Sequence, residues 1–222
     1  RTYSGSLLHD LCKLRGYEQM LMDIYENPEW LHEVLSFMED GVHDLHEECE
    51  NAGDLRLINT FNQTMTYCEE LADPSSETKS VKRKQLWHFF EGQEFDCVSP
   101  KDTDEFCIAY HKRMAKEYGM IAYGCCEDLT QKIPYLKQIP NLRVIAVTPW
   151  ANIAQCAEQI GRNYVVSYRP NPAEVISNGF DRKYVKDFMK KGLEEARGCN
   201  IEINLKDVKT IKKDLNAMEE WV

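Results

Sequence analysis

Long apolar runs are missing from this sequence. Nowhere do the ~18 consecutive apolar residues of a membrane-spanning helix occur, and no basic segment followed by an apolar stretch opens the chain as a signal peptide would. No membrane partner is therefore expected. Positive charge is also short. Lys and Arg number 27 against 37 Asp and Glu, a net charge of −10, which argues against a nucleic-acid-binding surface. The glycine-rich loops that cradle phosphates or dinucleotides are absent, and so is the strand–turn–helix nucleophile elbow. No low-complexity segment and no domain boundary appear. Paired cysteine is lacking as well. Nine cysteines is an odd count, and they are scattered through segments that read as helix and strand. That pattern suits a reducing cytosol better than a disulfide framework, so a cytoplasmic location is expected. The chain opens on Arg1 rather than Met and reads as a truncated or processed piece.

What is present describes an ordinary globular chain: 222 residues, 43% hydrophobic and 29% charged, enough for a sizeable core in a single domain over 1–222. Two leading helical segments fill 1–53. Apolar residues recur at three-to-four spacing over 7–25, and again after Asn27-Pro28 up to Gly53, which reads as a stop. Strand candidates follow at 55–60, 86–90, 120–123, 142–147, 164–168 and 201–205. Helical stretches lie between most of them, one opened by Ser99-Pro100 as cap and first turn. This alternation argues a parallel α/β sheet. Polar and aromatic residues collect just past the strand ends, as in a TIM (β/α)8 barrel whose site lies on one face. Six strand candidates are two short of a closed barrel, so either two lie upstream of Arg1 or the sheet is open. Open edges would invite a homodimer.

The loop that follows 120–123 is the focus. Gly124 frees the backbone for a sharp turn. Cys125, Cys126, Glu127 and Asp128 stand at its mouth, and Glu127 or Asp128 is placed to cap a helix near Leu129. Cys125 is a candidate thiolate ligand, most naturally for zinc; the alternative is two small buried hydrophobes. Glu91, Glu94 and Glu127 fall just past strand ends, which suits acid/base work or metal ligation as well as solvated loop charge. Asp207 and Lys206 are on the same face. Cys199 precedes its strand and is expected at the opposite end. Asn59, Tyr123, Trp150, Tyr168 and Asn171 offer polar contacts and aromatic walls for an organic ligand. His43, His46 and Glu47 share a helix face that reads as solvated, His111 reads as structural, and His88 could face either side of its strand.

Several short motifs in order resemble the uroporphyrinogen decarboxylase-like superfamily. They are Cys97-Val98-Ser99-Pro100, Tyr123-Gly124-Cys125-Cys126-Glu127, Ile139-Pro140-Asn141-Leu142-Arg143, Thr148-Pro149-Trp150 and Arg169-Pro170-Asn171-Pro172-Ala173. The likeness runs from about Gly16 to the end and is nearest to bacterial members with the same Tyr-Gly-Cys-Cys-Glu loop. It implies a TIM barrel of which this chain is the later part. It also implies an enzyme of one of two kinds, a tetrapyrrole decarboxylase or a cobalamin-dependent methyltransferase. Lys206-Asp207-Val208 stands where the decarboxylase has a histidine. Tyr123 stands where the methyltransferase loop has His before x-Cys. The expectation is a corrinoid-dependent methyltransferase component acting on a small methylated compound. It would take zinc at Cys125, Glu127 and Glu91, use Glu127, Glu94 and Asp207 as catalytic groups, and exchange methyl groups with methylcobalamin on a partner corrinoid protein. The alternatives are uroporphyrinogen decarboxylation and a non-catalytic binding or assembly module.

Overall fold

The computed structural model describes residues 6–55, 68–71, 80–177, 179–211 and 216–221. Three helices lead: α1 (Leu7–Arg15), α2 (Tyr17–Glu26) and α3 (Pro28–Asn51). Ser6 caps α1 by accepting from the His9 N–H at 3.3 Å. The periodic stretch 7–25 is thus two helices, because Gly16 takes φ 88° between them and only glycine does so without cost. The break lets Leu8, Leu11, Met20 and Leu31 turn into one core. The strand expected at 55–60, with Asn59 at its end, lies outside the described residues apart from Leu55.

Next come β1 (Trp87–Phe90), α4 (Pro100–Thr103), α5 (Ala109–Ala115), β2 (Met120–Tyr123), α6 (Ile133–Leu136), β3 (Leu142–Val147), α7 (Ile153–Ile160), β4 (Val165–Tyr168), α8 (Arg182–Glu195), β5 (Asn200–Ile203) and α9 (Asn216–Trp221). Ser99 caps α4 as expected, accepting from the Asp102 N–H at 3.1 Å. A π-helical turn, Asp104–Ile108, joins α4 to α5 and buries three successive residues, Phe106, Cys107 and Ile108. Asn152 and Asp181 cap α7 and α8 through their side chains. No helix of the described residues is long and apolar enough to cross a membrane.

The five strands form one parallel sheet in chain order, β1-β2-β3-β4-β5. All five carboxyl ends therefore share one edge. Side chains alternate between the two faces, and in-register neighbours share a face. His88, Phe90, Tyr123, Val147 and Tyr168 lie on one face, which the helices cover. His88 meets His46 of α3 there, Phe90 stacks on His111 of α5, and Tyr168 abuts Gly192 of α8 so closely that a Cβ at 192 would stand 2.7 Å from the phenol oxygen. The other face carries Phe89, Ala122, Val144, Ala146, Ser167 and Glu202 across the strands. Its centre is small and its β5 end is polar.

Candidate active site at the strand carboxyl ends

The turn after β2 is shaped by crowding. Gly124 has φ 107°, and a Cβ there would meet Ala146 Cβ and Leu129 Cδ1, each at 2.7 Å. Only glycine fits both the dihedral and the space. The chain then runs through an irregular loop, so the helix expected to begin near Leu129 begins at Ile133 instead, as α6. Glu127 is not a helix cap. Its carboxylate accepts from the Gly92 N–H at 3.0 Å and from the Cys125 N–H at 2.8 Å, tying the loop after β1 to the loop after β2. Asp128 instead accepts from the Thr130 N–H at 2.9 Å. Glu127 is 1% exposed. Burial pushes its carboxyl above the ordinary carboxylate range, against the pull of the backbone donors.

Cys125 is pinned at both ends of its peptide group. Its N–H is held by Glu127, and its carbonyl accepts from Arg169 Nη1, which also donates to the Gly124 carbonyl at 3.0 Å. Thr148, just past β3, donates to the Glu127 carbonyl at 3.3 Å. Four strand-end loops are thus stitched together, and the fifth closes on the sulfurs. Lys206 Nζ lies 3.3 Å from Cys125 Sγ and 3.0 Å from Cys126 Sγ, and the sulfurs are 3.6 Å apart. Burial pushes the Cys125 thiol up to about 12, although Lys206 pulls the other way. Burial works against the Lys206 ammonium, but its hydrogen bond to Cys126 and the charge of Cys125 raise its pKa.

Of the expected site residues, the structure brings Cys125, Glu127, Glu91 and Asp207 to this edge. Asp207 is exposed, 3.4 Å from Lys206 Nζ and 3.9 Å from Cys126 Sγ. Glu91 accepts from the Gln93 N–H at 3.1 Å, and burial, with Glu94 nearby, raises its pKa. Glu94 pairs with His9 of α1 at 2.9 Å. Trp150 stands at the rim, 72% exposed, and Asn171 closes its own turn by accepting from the Ala173 N–H at 3.0 Å. Tyr123 and Tyr168 are on the helix-covered face instead. Tyr123 points its hydroxyl at Cys107 Sγ, 3.8 Å away. Both rings are buried, and burial raises the pKa of each phenol. Cys199, 3.4 Å from the Ala157 carbonyl, sits at the amino end of β5 as expected.

The expected zinc ligands do not fit a metal centre. Both carboxylate oxygens of Glu127 are engaged by backbone N–H groups, and a cation already rests against both sulfurs in the form of the Lys206 ammonium. Among the described residues, the three-ligand group whose donor atoms converge is His43, Asp44 and Glu47, exposed on α3 and far along the chain from this edge.

Two cations were missed in the sequence as site residues. Lys206 was visible only as a neighbour of Asp207. Arg169, 2% exposed, was concealed in a run of prolines that reads as a loop. Its signal was position, immediately after a strand end. Burial lowers its pKa, with the Cys125, Glu127 and Cys126 side chains opposing. Its Nε is buried with no hydrogen-bond partner, and so are Ser167 Oγ and Glu202 Oε1 beside it. Each such atom costs about 1–3 kcal/mol when left unmatched. Comparison of the chain with protein-family models, with curated proteins and with solved structures finds no match.

Proposed function

We propose that this chain is the later part of a TIM (β/α)8 barrel of the uroporphyrinogen decarboxylase-like superfamily, and an enzyme of its corrinoid-dependent methyltransferase branch. The strand order supports the barrel. A doubly wound sheet reverses its order at a switch point, whereas these five parallel strands follow one another without reversal, like an arc of a barrel wall. The observation that carries the functional reading is the meeting of Lys206 with Cys125 and Cys126 across the carboxyl edge, the edge where barrel enzymes keep their chemistry.

The corrinoid, carried by a partner protein, would accept or supply the methyl group. The residues of this chain hold and orient the small methylated compound. Lys206 is placed to hold negative charge developing on a sulfur or on a substrate oxygen as the methyl group leaves. Glu91, with its raised pKa and its place beside the first loop, is a proton donor for the same leaving atom. Trp150 offers an exposed aromatic surface at the mouth. Glu127 acts as a positioning residue through the two N–H groups it clamps. No step is assigned to zinc.

A second reading, decarboxylation of a carboxylated substrate, is favoured by one feature. The rim of an acidic chain carries two sequestered cations, Arg169 and Lys206, which suit a substrate carboxylate. The test is to follow the visible spectrum of cob(I)alamin on methylation by a panel of methylated amines, thiols and ethers, with tetrapyrrole decarboxylation assayed in parallel. Methyl transfer that falls at least about a hundredfold in Lys206→Met supports the first reading. Decarboxylation alone supports the second, and neither activity points to a non-catalytic module.

A further inference from the structure

Three of the five buried side-chain atoms without a hydrogen-bond partner among the described residues are Ser167 Oγ, Arg169 Nε and Glu202 Oε1. They are neighbours. Burial raises the Glu202 pKa, while the Ser167 hydroxyl and the Arg169 charge draw it down. Neither contact reaches hydrogen-bond geometry at Oε1. Ser167 and Glu202 are register partners across β4 and β5, and Arg169 follows two residues after Ser167, on the same face. On this face Ala122, Ala146 and Ser167 are all buried, and Glu202 is half-buried at its β5 end. Ser167 is fully buried and Arg169 is 2% exposed. Native proteins match nearly all such groups, so three unmatched ones together ask for a common explanation.

Opposite charges on neighbouring strands would ordinarily pair. Here the facing Arg169 Nε and Glu202 Oε1 make no hydrogen bond, and the guanidinium is drawn instead toward the Gly124 and Cys125 carbonyls. The three atoms form a mixed set. Arg169 Nε needs an acceptor, Glu202 Oε1 needs a donor, and the Ser167 hydroxyl serves as either. A purely anionic guest would meet Glu202, and a purely cationic one would meet Arg169. A molecule with a carboxylate and an adjacent hydroxyl or amino group matches all three. Lys206, on the same edge beyond β5, adds a second cation for the carboxylate.

We infer that Ser167, Arg169 and Glu202 form a ligand subsite for a small hydroxy- or amino-carboxylate, its carboxylate toward Arg169 and its hydroxyl or amino donor toward Glu202. The inference rests on the reading of this strand-end edge as a substrate site, and names the class of molecule held there. It does not depend on which reaction follows.

Binding is measured by calorimetry and by shift of the melting temperature, using L-lactate, L-malate and L-serine. Propionate keeps only the carboxylate and propane-1,2-diol keeps only hydroxyls. At least one of the three bifunctional probes is expected to bind at least about tenfold more tightly than both controls. Its affinity is expected to fall at least about tenfold in Glu202→Gln and in Ser167→Ala. Both substitutions are nearly isosteric and leave the Arg169 brace intact. Circular dichroism at 25 °C confirms that each variant is folded, and a variant that fails this is replaced by Glu202→Asp. The subsite is overturned if none of the three probes binds, if propionate binds as well as they do, or if binding persists unchanged in the folded variants. Failure of methyl transfer with retained probe binding would reject the reaction and keep the subsite.

Discussion

Glu127→Gln isolates the clamp that sets the position of the Cys125–Cys126 loop. The carboxylate now accepts two backbone N–H bonds, at 3.0 and 2.8 Å, from two different strand-end loops. Gln keeps one acceptor oxygen and turns an NH2 toward the other N–H. One bond survives, and one buried donor is left facing a donor, at a cost of about 1–3 kcal/mol. An opposing gain comes from removing a carboxylate whose charged form is penalised by burial, the leading cause of its raised pKa. The net shift is upward because burial of the charge outweighs what the two donors return, so the gain offsets part of the lost bond. A net loss of about 1–2 kcal/mol follows, or roughly 2–8 °C in melting temperature for a chain of this length. The linkage adds a second signature. A carboxyl whose folded pKa is raised contributes stability that is fully present below its unfolded pKa and is lost as pH rises through the folded value. Glu127→Gln removes that decline, so the gap between variant and wild type is widest at low pH and narrows above it. The assay is urea unfolding followed by far-UV circular dichroism at several pH values, with exposed Glu158→Gln as control. Thiol release from Ellman's reagent, taken as the difference from the matched Cys125→Ser/Cys126→Ser protein, reports the loop. A variant within about 0.5 kcal/mol of wild type, with unchanged thiol reactivity, would refute the clamp.

Three further outcomes are expected. Gly124→Ala forces a Cβ to within 2.7 Å of Ala146 and Leu129 at a positive φ and should cost about 2–4 kcal/mol in the same unfolding assay; a loss near zero would mean that the turn relaxes freely. His111 is held neutral by burial, its pKa lowered to about 3. Stability is therefore full above the ordinary value of 6.5 and falls as pH drops toward 3, by roughly 2–3 kcal/mol at pH 4.5 from this group alone; His111→Phe should lose less between pH 7 and 4.5 than wild type, and an equal loss would rule this group out as the cause. Protein purified with zinc and reducing agent should carry well under one equivalent of metal by elemental analysis, because Lys206 stands against both sulfurs; a full equivalent that is lost in Cys125→Ser would overturn that assignment.

Most of the sheet was legible because β1 to β4 are short apolar runs ending in polar residues or glycine, and their positions follow from that contrast. The break at Gly16 was not legible, since the apolar spacing continues across it and only the backbone angle reveals the turn. Nor was the face of each residue. Tyr123 and Tyr168 belong to strands without polar alternation, as strands buried on both sides are. Nothing in Met120-Ile121-Ala122-Tyr123 tells which side chain meets helices and which meets the other face. The parity becomes visible only through neighbours such as Gly192, whose missing side chain makes room for the Tyr168 ring. The carboxylate at 127 could be placed at the rim from its position after a strand. Which donors it would meet depends on the loop after β1, 35 residues away in sequence, and no local pattern encodes that.

The sulfurs are positioned by backbone contacts. Cys125 is fixed at its N–H by Glu127 and at its carbonyl by Arg169, and Gly124 lets the strand end approach Ala146 closely enough for both contacts to form. These restraints are complete without any guest, so ordering the loop adds little cost when a ligand arrives. Arg169 serves this brace through one nitrogen, Nη1, and leaves Nε unmatched toward Ser167 and Glu202. One buried guanidinium thereby couples the thiol loop to the polar end of the second face. A ligand carboxylate that drew Arg169 away from the Gly124 and Cys125 carbonyls would loosen the loop holding the two thiols. One that met only Nε would leave the loop fixed. Thiol reactivity measured with and without a bound hydroxycarboxylate distinguishes the two, and the geometry, with Nη1 already committed, favours the second.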